Sequence, residues 1–178
     1  MRKRGKIQVA YPAVLGAVSL VFLFGAAMVP TGMWGMVAVA GLGPCAVVAS
    51  IGTSAGFWCW GGVSLLALLL LPDKFCALLF TLLFGLYPML KALSERTRRV
   101  IAWILKLGFF NLSFTVLLFL MRALMLESLP SFLTEYGLPV LYLAANVVFC
   151  LYDIGLTKLI CLYLARIDRA VRKWTRRF

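Results

Sequence analysis

The chain has 178 residues, of which 63% are hydrophobic and only 13% charged. Soluble domains carry about 25% charged and 45–50% apolar residues, so a small water-soluble globule is excluded and a bilayer becomes the natural solvent. The formal charge of +12, from 18 Lys and Arg against 6 Asp and Glu, fits either a nucleic-acid surface or the retained loops of a membrane protein, and the distribution of the charges decides between them.

A span needs about 20 residues, so this length accommodates roughly six helices joined by short turns. The basic start Met-Arg-Lys-Arg-Gly-Lys precedes an apolar run from Ile7 to Val29. That run exceeds the usual core of about 7–15 residues in a cleaved signal peptide, which makes it a retained first span, Gln8 to Val29. Pro30-Thr31-Gly32 ends it. Span 2 is expected over Trp34 to Ile51, followed by the small uncharged connection Gly52 to Gly56. Span 3 covers Phe57 to Leu71, with a turn at Pro72-Asp73-Lys74. Span 4 covers Phe75 to Leu90, and Tyr87-Pro88 loosens its end. A charged loop, Lys91 to Arg99, leads to span 5, Val100 to Met121. The longest connection, Arg122 to Gly137, contains Pro130. Span 6 covers Leu138 to Leu164, and a basic tail runs from Arg166 to Phe178. The expectation is an all-α, single-domain bundle of six transmembrane helices.

Six spans place Arg2, Lys3, Arg4 and Lys6, then Lys91, Arg96, Arg98 and Arg99, then the six basic residues of the tail, at one end. Lys74 and Arg122 fall at the other, and Lys106 and Lys158 lie within spans. Cytoplasmic loops retain Lys and Arg, so both termini are expected in the cytoplasm, with the chain multi-pass in the cell membrane. Merging spans 2 and 3 would split the basic clusters between the two sides. The same bias removes the need for a nucleic-acid partner, although the tail can touch anionic lipid. Trp34, Tyr87, Trp103 and Tyr136 fall near expected interfaces, as an aromatic belt requires.

Polar groups inside spans are costly in hydrocarbon and are therefore the first functional candidates. They are Lys106 and Asn111 in span 5, and Asn146, Asp153 and Lys158 in span 6. At about 1.5 Å per residue, Asn111 and Asp153 share a level roughly 16 Å from the basic end, and Lys106 and Lys158 share one roughly 9 Å deep. The intramembrane polar cluster Lys106, Asn111, Asp153 and Lys158 can lock spans 5 and 6 together, relay a proton or substrate, or serve a coupling contact. Asp153 is expected to pair with Lys106 or Lys158, and Glu95 with Arg99 four residues on. In span 1, Ala13-Val14-Leu15-Gly16-Ala17 puts two small side chains on one face, where another helix can approach closely. Cys45, Cys59, Cys76, Cys150 and Cys161 form no CxxC pair, and the chain has no His, so each reads as a small hydrophobe and no metal site or cofactor is expected. There is no P-loop, HExxH or GxSxG motif. Asp73, Glu127 and Glu135 are too scattered to form a catalytic site, and no enzymatic activity is expected.

Six short spans, both ends inside, about 180 residues and no ATPase motif resemble the S components of energy-coupling factor (ECF) transporters. The stretch Phe84-Gly85-Leu86-Tyr87-Pro88-Met89-Leu90-Lys91 through Glu95-Arg96, with Trp103-Ile104-Leu105-Lys106 and Leu151-Tyr152-Asp153, also resembles an uncharacterised group of bacterial six-span proteins. The first resemblance implies a substrate-binding subunit that captures a small molecule such as a vitamin. It implies docking on a transmembrane coupling protein with ATPase subunits through Ala13 and Ala17. It also implies a ligand cavity in the outer half, for which Trp34, Tyr142 and Asn146 are candidate lining residues. The absence of His departs from metal-uptake members. The alternative is a structural protein scaffolding an envelope complex through its basic tail and the Lys91 to Arg99 loop. An outer-half cavity favours capture, and a solidly packed outer half favours scaffolding.

The six-span topology is tested with single cysteines placed in the Gly52–Gly56 and Pro72–Lys74 turns, in a background without reactive native thiols. A membrane-impermeant reagent is expected to label them from opposite faces of the membrane. Labelling of both from one face would rule out six spans.

Overall fold

Backbone in hydrocarbon must satisfy its own hydrogen bonds, and it does so here as helices, with no strand among the described residues. The computed structural model describes residues 2–95, 97–123, 131–163 and 165. The helices are α1 (Arg2–Met28), α2 (Met33–Ala40), α3 (Leu42–Ser50), α4 (Thr53–Leu70), α5 (Lys74–Leu79), α6 (Tyr87–Ser94), α7 (Arg99–Ala123) and α8 (Ser131–Tyr163). They supply six segments long and apolar enough to cross a membrane, because α2 and α3 run on as one span, Met33–Ser50, and α5 and α6 as another, Lys74–Ser94. The chain is an all-α, multi-pass membrane protein. Many large apolar side chains, among them Val21, Trp58, Leu69, Phe119 and Leu151, are exposed, as a lipid-facing surface requires.

The connections follow local chemistry. Gly52 adopts φ 132°, ψ 172°, which side-chain-bearing residues rarely adopt, and this separates α3 from α4 without a charge. At the next turn, Asp73 caps α5 by accepting a hydrogen bond from the Phe75 amide at 2.9 Å. Lys74 Nζ donates to the carbonyls of Leu68 and Leu71, each at 2.9 Å, placing a cation at the carbonyl end of α4. Within α8 the helical path is broken at Gly137 (φ 80°), just before Pro139, so the membrane segment proper is Pro139–Leu162.

The fourth span is the centre of the bundle. More than half of it, 56%, is buried, against 17–33% for the other five. Helices α1 to α4 pack together on one side of it, α7 lies on the other, and α8 packs against both α7 and α3. Its middle departs from the α-helix as a π-helical turn, Phe80–Phe84, in which the Gly85 amide donates to the Phe80 carbonyl at 2.7 Å. The Thr81 carbonyl accepts a hydrogen bond from the Trp60 indole of α4 at 3.1 Å. Gly41 faces this turn: a Cβ on Gly41 would lie 2.7 Å from the Phe84 carbonyl oxygen.

Three boundaries differ from the sequence reading, the first at α4, which takes in residues 53–56 of the expected Gly52–Gly56 connection. Helix α6 continues to Ser94 and buries Lys91, so Lys91 belongs to the span and the polar connection is only 95–98. Residues 131–136 are helical where a connection is expected. Tyr87, expected at the interface, is 2% exposed and sits in the core, whereas Trp34 and Trp103 are exposed. The basic tail, Arg96, residues 124–130 and the side chains of 2–9 and 131–136 lie outside the described residues, and with them the belt position of Tyr136.

Gly41→Ala is expected to lower stability by about 1–3 kcal/mol through overpacking against backbone that has nowhere to move. Gly35→Ala in α2, where an added Cβ meets nothing within 4 Å, is expected to be neutral or stabilising by up to about 1 kcal/mol. Unfolding midpoints of the two variants in detergent, compared with the parent, check the contrast.

Candidate functional site

Three membrane helices meet at Asp153. This α8 residue is 4% exposed, and a lone carboxylate there would be intolerable. It is answered from two directions. Lys91 of α6 and Lys106 of α7, 1% and 6% exposed, both form ion pairs with it. Lys91 Nζ bonds Asp153 Oδ1 directly, and Lys106 Nζ donates to Oδ2 at 3.1 Å and Oδ1 at 3.3 Å. Tyr87 donates its hydroxyl to Oδ1 at 2.5 Å. Glu95, at the end of α6 and 51% exposed, stands 3.2 Å from Lys91 Nζ and 3.8 Å from Lys106 Nζ. The formal charges of the two lysines, Asp153 and Glu95 cancel. Thr157 completes the Lys91 shell at 2.7 Å, and Lys106 lies 5.6 Å from the centroid of the Trp103 ring.

Helical phase decides which expected members join. Lys106 and Asp153 come together. Lys158, five residues beyond Asp153, is rotated by about 140° and is exposed; it is not part of the cluster, and Thr157, four residues on, takes the position over Asp153. Asn111 is likewise five residues from Lys106. Instead of approaching Asp153, it exchanges two amide hydrogen bonds with Asn146, each 3.0 Å. One turn further along, Thr115 and Tyr142 pair hydroxyl to hydroxyl at 2.7 Å. Lys106–Asp153, Asn111–Asn146 and Thr115–Tyr142 are therefore successive rungs of one α7–α8 seam. Lys91 was the member that sequence reasoning put in a loop. The available signal was the four-residue spacing Tyr87, Lys91, Glu95, which lays all three along one helical face. Glu95 accordingly pairs with the two lysines and not with Arg99.

Above the cluster, toward the end opposite the basic one, lies a cavity of about 370 Å³. Counting from the span ends, Trp34 and Leu141 lie at its rim and Tyr87 and Tyr152 near mid-membrane. Phe110 stacks on Phe149 (centroids 4.4 Å, 17°) and lies nearly parallel to Phe114 (5.8 Å, 13°). Tyr87 meets Phe149 edge-on at 5.1 Å, and Phe84 meets Tyr152 edge-on at 5.0 Å. Of the three residues expected to line a cavity, Trp34 does. Tyr142 and Asn146 do not; their polar ends are committed to the α7–α8 seam. The aromatic wall was missed, because Phe in a membrane helix looks the same in sequence whether it faces lipid or a cavity.

Ala13 and Ala17 are exposed and, with Pro12 and Gly16, border a surface groove whose other wall is Ala55, Trp58, Cys59 and Gly62 of α4. Among the described residues no group of three or more His, Cys, Asp or Glu could hold a metal ion, and all five cysteines are free thiols. Comparison with protein-family models, with curated proteins and with solved structures gave no match to this chain.

Removing Asp153 leaves two buried ammonium groups with only the half-exposed Glu95 as counter-ion. Asp153→Ala is expected to destabilise the protein by about 3–5 kcal/mol, and Tyr87→Phe by about 1.5–3 kcal/mol, the range for a hydrogen bond to a charged group. The combined replacement Lys91→Met, Lys106→Met, Asp153→Leu is expected to recover most of the Asp153→Ala loss, because an apolar set of similar volume leaves no buried charge and only the half-exposed Glu95 without its partners. Equilibrium unfolding in mixed micelles measures all three.

Proposed function

We propose that this chain is the non-catalytic, substrate-binding subunit of an uptake system for a small molecule, of the S-component kind, with both termini in the cytoplasm of a bacterial cell. The observation that carries the reading is the aromatic cavity in the half of the bundle away from the basic end. With the basic end inside, that half faces outward, where a capture subunit must hold its substrate. Binding sites are concave, mostly apolar and largely preformed, and this cavity fits that description. A scaffold would have use for a solid outer half. Beneath the cavity, the Asp153 cluster clamps α6, α7 and α8 together, so the mouth has a rigid floor.

Two features support a coupling partner. Ala13 and Ala17 are not covered by the protein's own helices, and the groove beside them has a floor of small residues that lets another helix approach closely. ATP hydrolysis would come from separate subunits, since the chain carries no P-loop.

Mass spectrometry of the protein purified from its native membrane is expected to detect a co-purifying small molecule and a membrane partner. Ala13→Trp should leave the monomer's unfolding midpoint unchanged while abolishing recovery of the partner. Destabilisation of the monomer by about 1–3 kcal/mol would instead make this face an internal packing surface and remove the coupling part of the proposal.

A further inference from the structure

We infer that the ligand of the aromatic cavity is an uncharged, largely apolar molecule held by aromatic and aliphatic contact; this rests on the capture reading and names its substrate class. The wall is built from Trp34, Phe84, Phe109, Phe110, Phe114 and Phe149 with aliphatic neighbours, and Tyr87 and Tyr152 close its inner end. No residue of the wall carries a charge. Phe110 and Phe149 already stack on each other, so an aromatic ligand would meet the rest of the wall offset or edge-on.

The nearest charges are unavailable to a ligand. Lys91 Nζ is occupied by Asp153, Thr157 and Glu95. Lys106 Nζ is occupied by both Asp153 oxygens, with Glu95 at 3.8 Å. Asp153 in turn is shared between the two lysines and Tyr87. Tyr87 stands between: its ring belongs to the cavity wall while its hydroxyl is spent on Asp153. An anionic ligand would bring an unpaired charge against electron-rich ring faces, and a cation, although drawn to those faces, would still lack a counter-ion in an uncharged pocket, at a cost that a neutral molecule avoids. The amide and hydroxyl rungs at Asn111–Asn146 and Thr115–Tyr142 are closed on themselves, so they offer a ligand no free hydrogen-bonding edge, whereas the buried Tyr152 hydroxyl at the inner end has no partner among the described residues.

The test uses the full chain in lipid nanodiscs and two probes of one shape, neutral pyrene and anionic 1-pyrenesulfonate. Energy transfer from Trp34, isolated by comparison with Trp34→Phe, reads occupancy. Pyrene is expected to saturate, and 1-pyrenesulfonate to bind at least tenfold more weakly. Ala145→Phe, which fills the cavity, is expected to abolish saturation. Ala144→Phe, at a more exposed wall position, repeats the test if the first variant folds poorly. Equal or tighter binding of the sulfonate, lost in the filled variants, would overturn the neutral-ligand inference and leave the capture reading standing. A response that never saturates, or that survives filling, would mean that the space belongs to bilayer lipid, and would overturn both.

Discussion

Two lysine ammonium groups and one aspartate carboxylate meet inside the hydrocarbon layer, and none of them is tolerable there alone. Asp153 on α8, Lys106 on α7 and Lys91 on α6 come from three different spans, so the electrostatic requirement becomes a geometric one. The helices must stand in a register that brings these atoms within about 3 Å of one another. Breaking such a pair costs more than making it gains, because the stranded charge has no water to turn to. The remaining α7–α8 rungs follow from that register: with Lys106 opposite Asp153, the antiparallel helices bring Asn111 opposite Asn146 and Thr115 near Tyr142. The cluster is also asymmetric along the membrane. Glu95 opens it toward the basic end, while Tyr87 seals it from the cavity.

The central span combines two tasks that a straight helix would not serve. Its lower part carries Tyr87 and Lys91 to Asp153, and its upper part packs Phe75, Cys76, Leu79 and Phe80 into the main core. The π-helical turn at Phe80–Phe84 rephases one part against the other. Turns of this kind recur at functional sites, and this one places Leu83 and Phe84 in the cavity wall. Its irregular backbone is affordable in a membrane because the Trp60 indole answers the Thr81 carbonyl and Gly41 lets the Phe84 carbonyl come close.

Lipid removes the usual reason for filling a protein interior, since an apolar side chain is equally at home outside. A void within a membrane bundle therefore depends on helices being held apart by something stiffer than hydrophobicity. Here the polar seam fixes the α7–α8 pair, and the ion-pair cluster fixes that pair to α6. Between them lies the aromatic cavity, one side of which is the row of rings Phe114, Phe110 and Phe149. The groove at Ala13 and Ala17 has a different origin: small side chains on α1 and α4 leave room at the surface where lipid or another helix lies.

The amino-acid sequence by itself determined the solvent, the number of spans and the division of charge between the two ends. These are sums over many residues, and single errors do not disturb them: Lys91 moves from loop to span without altering which end is basic. It also announced Asp153 and Lys106, because an ionisable residue in an apolar run stands out. What only the tertiary structure decided was partnership. Lys106 and Lys158 look alike in sequence, each a lone cation within a span, yet one is sealed against Asp153 and the other faces outward. Asn111 and Asn146 share no local signal, and Tyr87 reads as a belt residue until its hydroxyl is seen on Asp153. Pairing depends on the rotation of each helix about its axis, and nearly all faces of a membrane helix are apolar, so the periodicity that orients helices in water is absent here. The rotation was set by a handful of polar contacts across helices, which no single span encodes alone.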